Sequence, residues 1–188
     1  MHLSKKTVLL ALGLLLFTFV LDAVAVRTGF PYGYFWYGQN VQPIVSGVPL
    51  VFILGFPVLY LASSAVVNRL AVPRGVPWMM AVAIVMTAVA LVVEPVAVAK
   101  GLWSFRNGGL YFGVPSSDVI GWLFTGSLAG FLFPNELRSE KLVGVLMLII
   151  AVASVEAVIR GLGVPAVIGV LLFSSVAFFD LKKHGWKA

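Results

Sequence analysis

The chain has 188 residues, of which 61% are hydrophobic and 11% charged, with a mean hydropathy of +1.05. Its 13 basic and 7 acidic side chains cannot cover the surface of a soluble domain of this size, so most apolar residues must face lipid. The absence of cysteine excludes disulfides, thiolate metal sites and a cysteine nucleophile, and the histidines, His2 and His184, sit at the chain ends, so no metal is expected. The basic residues behind the net charge of +6 are scattered singly or in pairs between apolar runs, which argues against a nucleic-acid partner and for a lipid bilayer.

Six apolar runs follow one another: Thr7–Val26, Ile44–Val67, Pro77–Ala99, Asp118–Phe133, Leu142–Ile159 and Val164–Leu181. Most approach the roughly 20 residues that a membrane-spanning helix needs, and the fourth is short. Residues 1–188 are therefore expected to form a single all-α integral-membrane domain of about six transmembrane helices, the last two joined by a tight hairpin at Arg160–Gly163. An even number of spans puts both termini on one side. Nine basic residues then lie on the terminal side and four on the other, which predicts cytoplasmic termini in the cell membrane. The first run has no small-residue cleavage site after it and contains Asp22, so it is expected to be a helix and not a signal peptide.

Gly-Val-Pro recurs at Gly47, Gly75, Gly113 and Gly163, each time where an apolar run begins, and reads as helix punctuation. The three odd runs each carry an acid followed by a base: Asp22 with Arg27, Glu94 with Lys100, and Glu156 with Arg160. An acid near the bilayer centre costs about 2.5–3.5 kcal/mol, so each requires a reason. Asp22, Glu94, Asp118 and Glu156 all fall toward the side opposite the termini, where they can share one polar pocket and a carboxyl group can act as general acid. The alternative is pairing with neighbouring bases. For Glu156, four residues before Arg160, a same-face pair is the expected role.

Two long connections, Gly29–Gly38 and Trp103–Gly113, strengthen the pocket reading because they hold ten aromatic rings. An interfacial aromatic belt explains single rings, not this density. Aromatic faces beside carboxylic acids suit the protonation of an alkene, since ring quadrupoles stabilise a carbocation without capturing it. Such chemistry needs no cofactor, and the sequence contains no phosphate loop, dinucleotide fingerprint or serine triad.

At these connections the chain resembles the integral-membrane carotenoid biosynthesis proteins, a family that includes carotenoid 1,2-hydratases. The resemblance rests on Thr28–Tyr37 leading to Gly47-Val48-Pro49, on Glu94–Trp103, and on Gly109–Trp122, in that order, and covers roughly residues 20–126. It implies cofactor-free addition of water to the terminal double bond of an acyclic C40 or C50 carotenoid, or of another polyisoprenoid. On that implication Glu94 is the general acid and Asp22 and Asp118 position water or share its proton. Tyr32, Tyr34, Trp36, Trp103, Tyr111 and Trp122 then line the substrate and cation site. Glu94 stands where the family usually has Asp before Pro, Asp118 where Asn is common, and Val89 and Ala90 where the family has a tryptophan–aspartate pair. Two other classes stay open: a non-catalytic isoprenoid or lipid carrier, and a proton-coupled transporter, for which Asp180 is the only acid in the inner half of a helix.

Overall fold

Six α-helices follow the six apolar runs in the computed structural model, which describes residues 5–39 and 41–184. They are α1 (Lys5–Thr28), α2 (Gly55–Arg69), α3 (Val76–Ala99), α4 (Ser116–Leu132), α5 (Glu140–Ile159) and α6 (Gly163–His184). His2 and Lys187 lie outside the described residues. Five of the helical segments are long and apolar enough to cross a membrane: Thr7–Thr28, Phe52–Arg69, Val76–Ala99, Glu140–Ile159 and Gly163–Asp180. With 17 residues, α4 reaches about 25 Å, somewhat less than a bilayer core. The protein is thus an all-α polytopic membrane protein, with a few short strands between its helices.

The second run departs from the expected boundaries, because helix α2 begins only at Gly55. Before it, β2 (Ile44–Val45) and β3 (Val48–Pro49) pair around a two-residue turn, followed by a short 3-10 turn at Phe52–Leu54. Ser46 and Gly47 both adopt positive φ, 54° and 85°, which matches the twist of a tight hairpin. Gly47-Val48-Pro49 is therefore a turn and strand, whereas the other three Gly-Val-Pro segments do open helices α3, α4 and α6.

Helix α3 is central, touching α2, α4, α5 and α6 and burying Val82, Met86, Val89 and Glu94. Between helices in lipid there is little hydrophobic gain, so close approach of backbones decides association. Gly126 and Gly130, one turn apart on α4, provide that approach. A Cβ at Gly126 would lie 2.9 Å from the Ala83 Cα atom, and one at Gly130 would lie 3.0 Å from Met79. Helices α1 and α6 instead present Leu9, Leu12, Leu16, Val167, Val170 and Leu171 to the surroundings, as lipid-facing helices should.

At the end of the bundle that holds the α2–α3 and α4–α5 connections, a polar network ties the helices. Asn68 accepts the Trp78 indole N–H at 2.6 Å and donates to the Leu137 carbonyl at 2.8 Å. The Tyr60 hydroxyl donates to the Phe133 carbonyl at 2.6 Å, and Arg74 donates to that of Asn135 at 2.8 Å. Arg69 pairs with Asp180 and Glu140, which accounts for the acid expected near this face.

Substituting Ala at Gly126 should push α3 and α4 apart and lower stability by about 1–3 kcal/mol. The same change at Gly144, where nothing lies within 4 Å, should be neutral or slightly stabilising. Thermal unfolding of both variants in detergent checks this, and equal effects would contradict the close α3–α4 approach.

Candidate active site

Glu94 lies on α3, is 5% exposed, and has both carboxyl oxygens occupied by indole donors. Trp103 Nε1 donates to Oε2 at 2.8 Å, and Trp122 Nε1 donates to Oε1 at 3.0 Å. Pro95 follows directly inside the helix and lacks the N–H that would bond the Leu91 carbonyl. The Tyr111 hydroxyl replaces that donor, reaching the Leu91 oxygen at 2.7 Å. The two aromatic connections thus repair and satisfy one turn of α3.

They do so by pairing. Strand β1 (Phe35–Tyr37) runs antiparallel to β4 (Trp103–Phe105), with Phe35 opposite Phe105 and Tyr37 opposite Trp103. Because side chains alternate along a strand, these four rings turn to one face and Trp36 with Ser104 to the other. Trp36 is accordingly exposed and outside the cavity that the four rings line. Tyr34 is also exposed, with the Arg106 guanidinium 5.6 Å above its ring, and Tyr111 lies behind Glu94 in a separate narrow crevice. Of the six aromatic residues expected at the site, Tyr32, Trp103 and Trp122 line the main cavity, while Tyr34, Trp36 and Tyr111 do not.

Tyr32 reaches its place through α4. Its hydroxyl donates to Thr125 Oγ1 at 3.1 Å, its carbonyl accepts from Ser117 Oγ at 3.1 Å, and its ring covers Gly121, where a Cβ would come within 2.6 Å of it. Gly121 and Thr125 are one turn apart, so a single face of α4 receives the tyrosine.

The acids are disposed differently from the expected acid–base pairs. Arg27 donates to the Ala23 carbonyl at 2.6 Å and not to Asp22, which lines the cavity together with Tyr37. Lys100 turns from Glu94 to Glu156, with Nζ 2.7 Å from Oε1. A fully buried carboxyl is better satisfied by neutral indoles than by a lysine that would have to leave water. The expected pair of Glu156 with Arg160 is present at 3.3 Å, so Glu156 carries two cations at the cavity rim. Asp118, in the first turn of α4, has its Oδ2 buried without a hydrogen-bond partner among the described residues. It shares with Ala90 the narrow crevice behind Glu94.

These groups surround a cavity of about 550 Å³. Asp22, Glu94 and Asp118 supply acid groups, and Tyr32, Phe35, Tyr37, Phe52, Phe56, Trp103, Phe105 and Trp122 supply rings. Tyr37 stacks on Phe52 with centroids 5.3 Å apart, and Phe56 stacks on Trp122 at 5.9 Å. The remaining wall is aliphatic and includes Leu148 and Val152 of α5, both exposed on the outside of the bundle, so the cavity reaches the lipid-facing surface there. Lys100 and Glu156 mark its polar rim. Sequence reasoning missed Phe35, Tyr37, Phe52, Phe56 and Phe105. The alternation of rings in Phe35-Trp36-Tyr37 and Trp103-Ser104-Phe105 was the available signal. Among the described residues no cluster of His, Cys, Asp and Glu suited to a metal occurs.

Comparison with known proteins agrees with this architecture. The family described as carotenoid biosynthesis protein matches residues 1–176. The chain belongs to that family. Bisanhydrobacterioruberin hydratase of Haloarcula japonica is 35% identical over 138 residues, which covers 69% of this chain and 45% of that protein. The chain therefore spans less than half the length of this relative. No solved structure matches it.

In this carotenoid biosynthesis protein, Tyr111→Phe should leave the Leu91 carbonyl without a donor and lower stability by about 1–3 kcal/mol. Denaturation in mixed micelles measures this, and unchanged stability would contradict the repair of α3 by Tyr111.

Proposed function

We propose that this chain hydrates the terminal double bond of an acyclic carotenoid or a related polyisoprenoid by acid catalysis. The observation that carries the reading is Glu94: a buried carboxyl group held by two indoles at the wall of an aromatic cavity open to lipid. The relative in Haloarcula japonica, a bisanhydrobacterioruberin hydratase by name, supports the same chemistry.

A cavity of about 550 Å³ lies in the range that encloses a drug-sized ligand, so it accepts the end of a polyene and not its length. The remainder of the chain leaves past Leu148 and Val152 into the bilayer. Glu94 transfers its proton to the less substituted carbon of the terminal double bond, and the tertiary cation forms between aromatic faces. Water bonds to that cation and releases a proton to a carboxylate. The sum is alkene plus water to alcohol, with no net oxidation or reduction. Asp118, next to Glu94, shares its proton. Both termini lie on the cytoplasmic side, following the basic-residue count of nine to four, with the cavity toward the opposite face, and the whole chain acts as one domain.

Glu94→Gln keeps an acceptor for one indole but has no proton to give. Hydration by cells producing an acyclic carotenoid should fall by about 10²–10⁴-fold in that variant. Mass spectrometry of the pigments reads a species heavier by one water. Full activity in Glu94→Gln would remove the assigned acid, and an unchanged polyene that copurifies with the wild-type protein would favour a carrier.

A further inference from the structure

The Glu94 station explains how a cation forms, but a cation in an apolar cavity has two fates. It can lose a neighbouring proton and return to an alkene, or it can be captured by water. Capture requires a water molecule already held near the cationic carbon, and the second polar station in the cavity provides the groups to hold one. Tyr37 lies on β1 with its ring fixed on three sides: stacked on Phe52 at 5.3 Å, and edge-on to Phe35 at 5.3 Å and to Trp103 at 6.3 Å. Its hydroxyl lies close to the Asp22 carboxyl of α1, and both side chains line the cavity. Burial, together with the nearby Asp22 and Glu94 carboxyls, pushes the Tyr37 hydroxyl well above the usual tyrosine range, so it keeps its proton. The phenol oxygen and the Asp22 carboxyl can both act as acceptors toward a water molecule in the cavity. The Trp103 indole, which touches Tyr37 with one edge and Glu94 with its N–H, separates the two stations.

We infer that Tyr37 and Asp22 form the water-holding half of the site, Tyr37 acting as a positioning residue that orients the attacking water and Asp22 accepting its proton. The inference rests on the hydration reading above. In the full cycle Glu94 gives a proton to carbon, the water oxygen bonds to the cation, and one water proton passes to the Asp22 carboxylate. Transfer of that proton from Asp22 to the Glu94 carboxylate, through water in the cavity, restores both groups.

The test follows the two fates separately. Wild type, Tyr37→Phe, Asp22→Asn and Glu94→Gln are reconstituted in vesicles with an acyclic carotenoid in deuterated water, and alcohol and deuterium-bearing alkene are both quantified. Wild type is expected to give alcohol with one carbon-bound deuterium. Tyr37→Phe keeps the ring packing and should lose alcohol by about 10–100-fold while deuterium still enters the recovered alkene. Asp22→Asn should behave likewise, and it carries the test if Tyr37→Phe does not accumulate as folded protein. Glu94→Gln should yield neither product. Alcohol unchanged in Tyr37→Phe and Asp22→Asn, or alcohol and deuterated alkene lost in the same proportion, would overturn the water-holding role and leave the hydratase reading standing. A wild-type protein that forms no alcohol would overturn both.

Discussion

A carboxyl group inside a lipid-facing bundle is costly unless its oxygens are satisfied, and the hydrogen bonds from Trp103 and Trp122 to Glu94 meet that condition. Much of the surrounding structure follows from supplying those two donors. Trp103 has to be carried back over the end of α3, and strand β4 does so by pairing with β1. Trp122 has to come close to α3, which α4 permits because Gly126 and Gly130 bring the backbones together. Pro95, next in sequence to Glu94, removes a helix donor, and Tyr111 replaces it from the same connection that carries Trp103.

The same arrangement separates two environments within one cavity. Rings from β1, β4, α2 and α4 form walls that favour positive charge without offering a nucleophile, whereas the carboxyl groups stand at particular points on those walls. The aliphatic side toward α5 reaches lipid, and the Lys100–Glu156–Arg160 cluster marks the polar rim. An apolar ligand and water can therefore meet in one place from opposite phases, as the proposed hydration requires.

Features set by local chemistry were readable from the sequence. The number of helices, the shortness of α4 and the pair of Glu156 with Arg160 follow from run length and from the four-residue helical spacing. Glu94 stood out as a lone acid in an apolar run, and its two indole donors stood among the aromatic residues singled out. What escaped depends on pairing distant segments. Nothing near residue 36 announces that β1 pairs with residues 103–105, yet that register decides that Tyr37 faces the cavity and Trp36 does not. The late start of α2 turned on a two-residue hairpin hidden in an apolar run. Lys100 pairs with Glu156, 56 residues away, because two helix ends meet, although Glu94 is nearer in sequence.

In the proposed hydration a proton reaches carbon first and water supplies the oxygen. Isotope tracing in H₂¹⁸O under anaerobic conditions, with the purified protein and an acyclic carotenoid, tests it most directly. The expected product is an alcohol whose oxygen carries the solvent label and which forms without any added electron carrier. An alcohol lacking the label, or one that forms only when oxygen and a reductant are supplied, would contradict it.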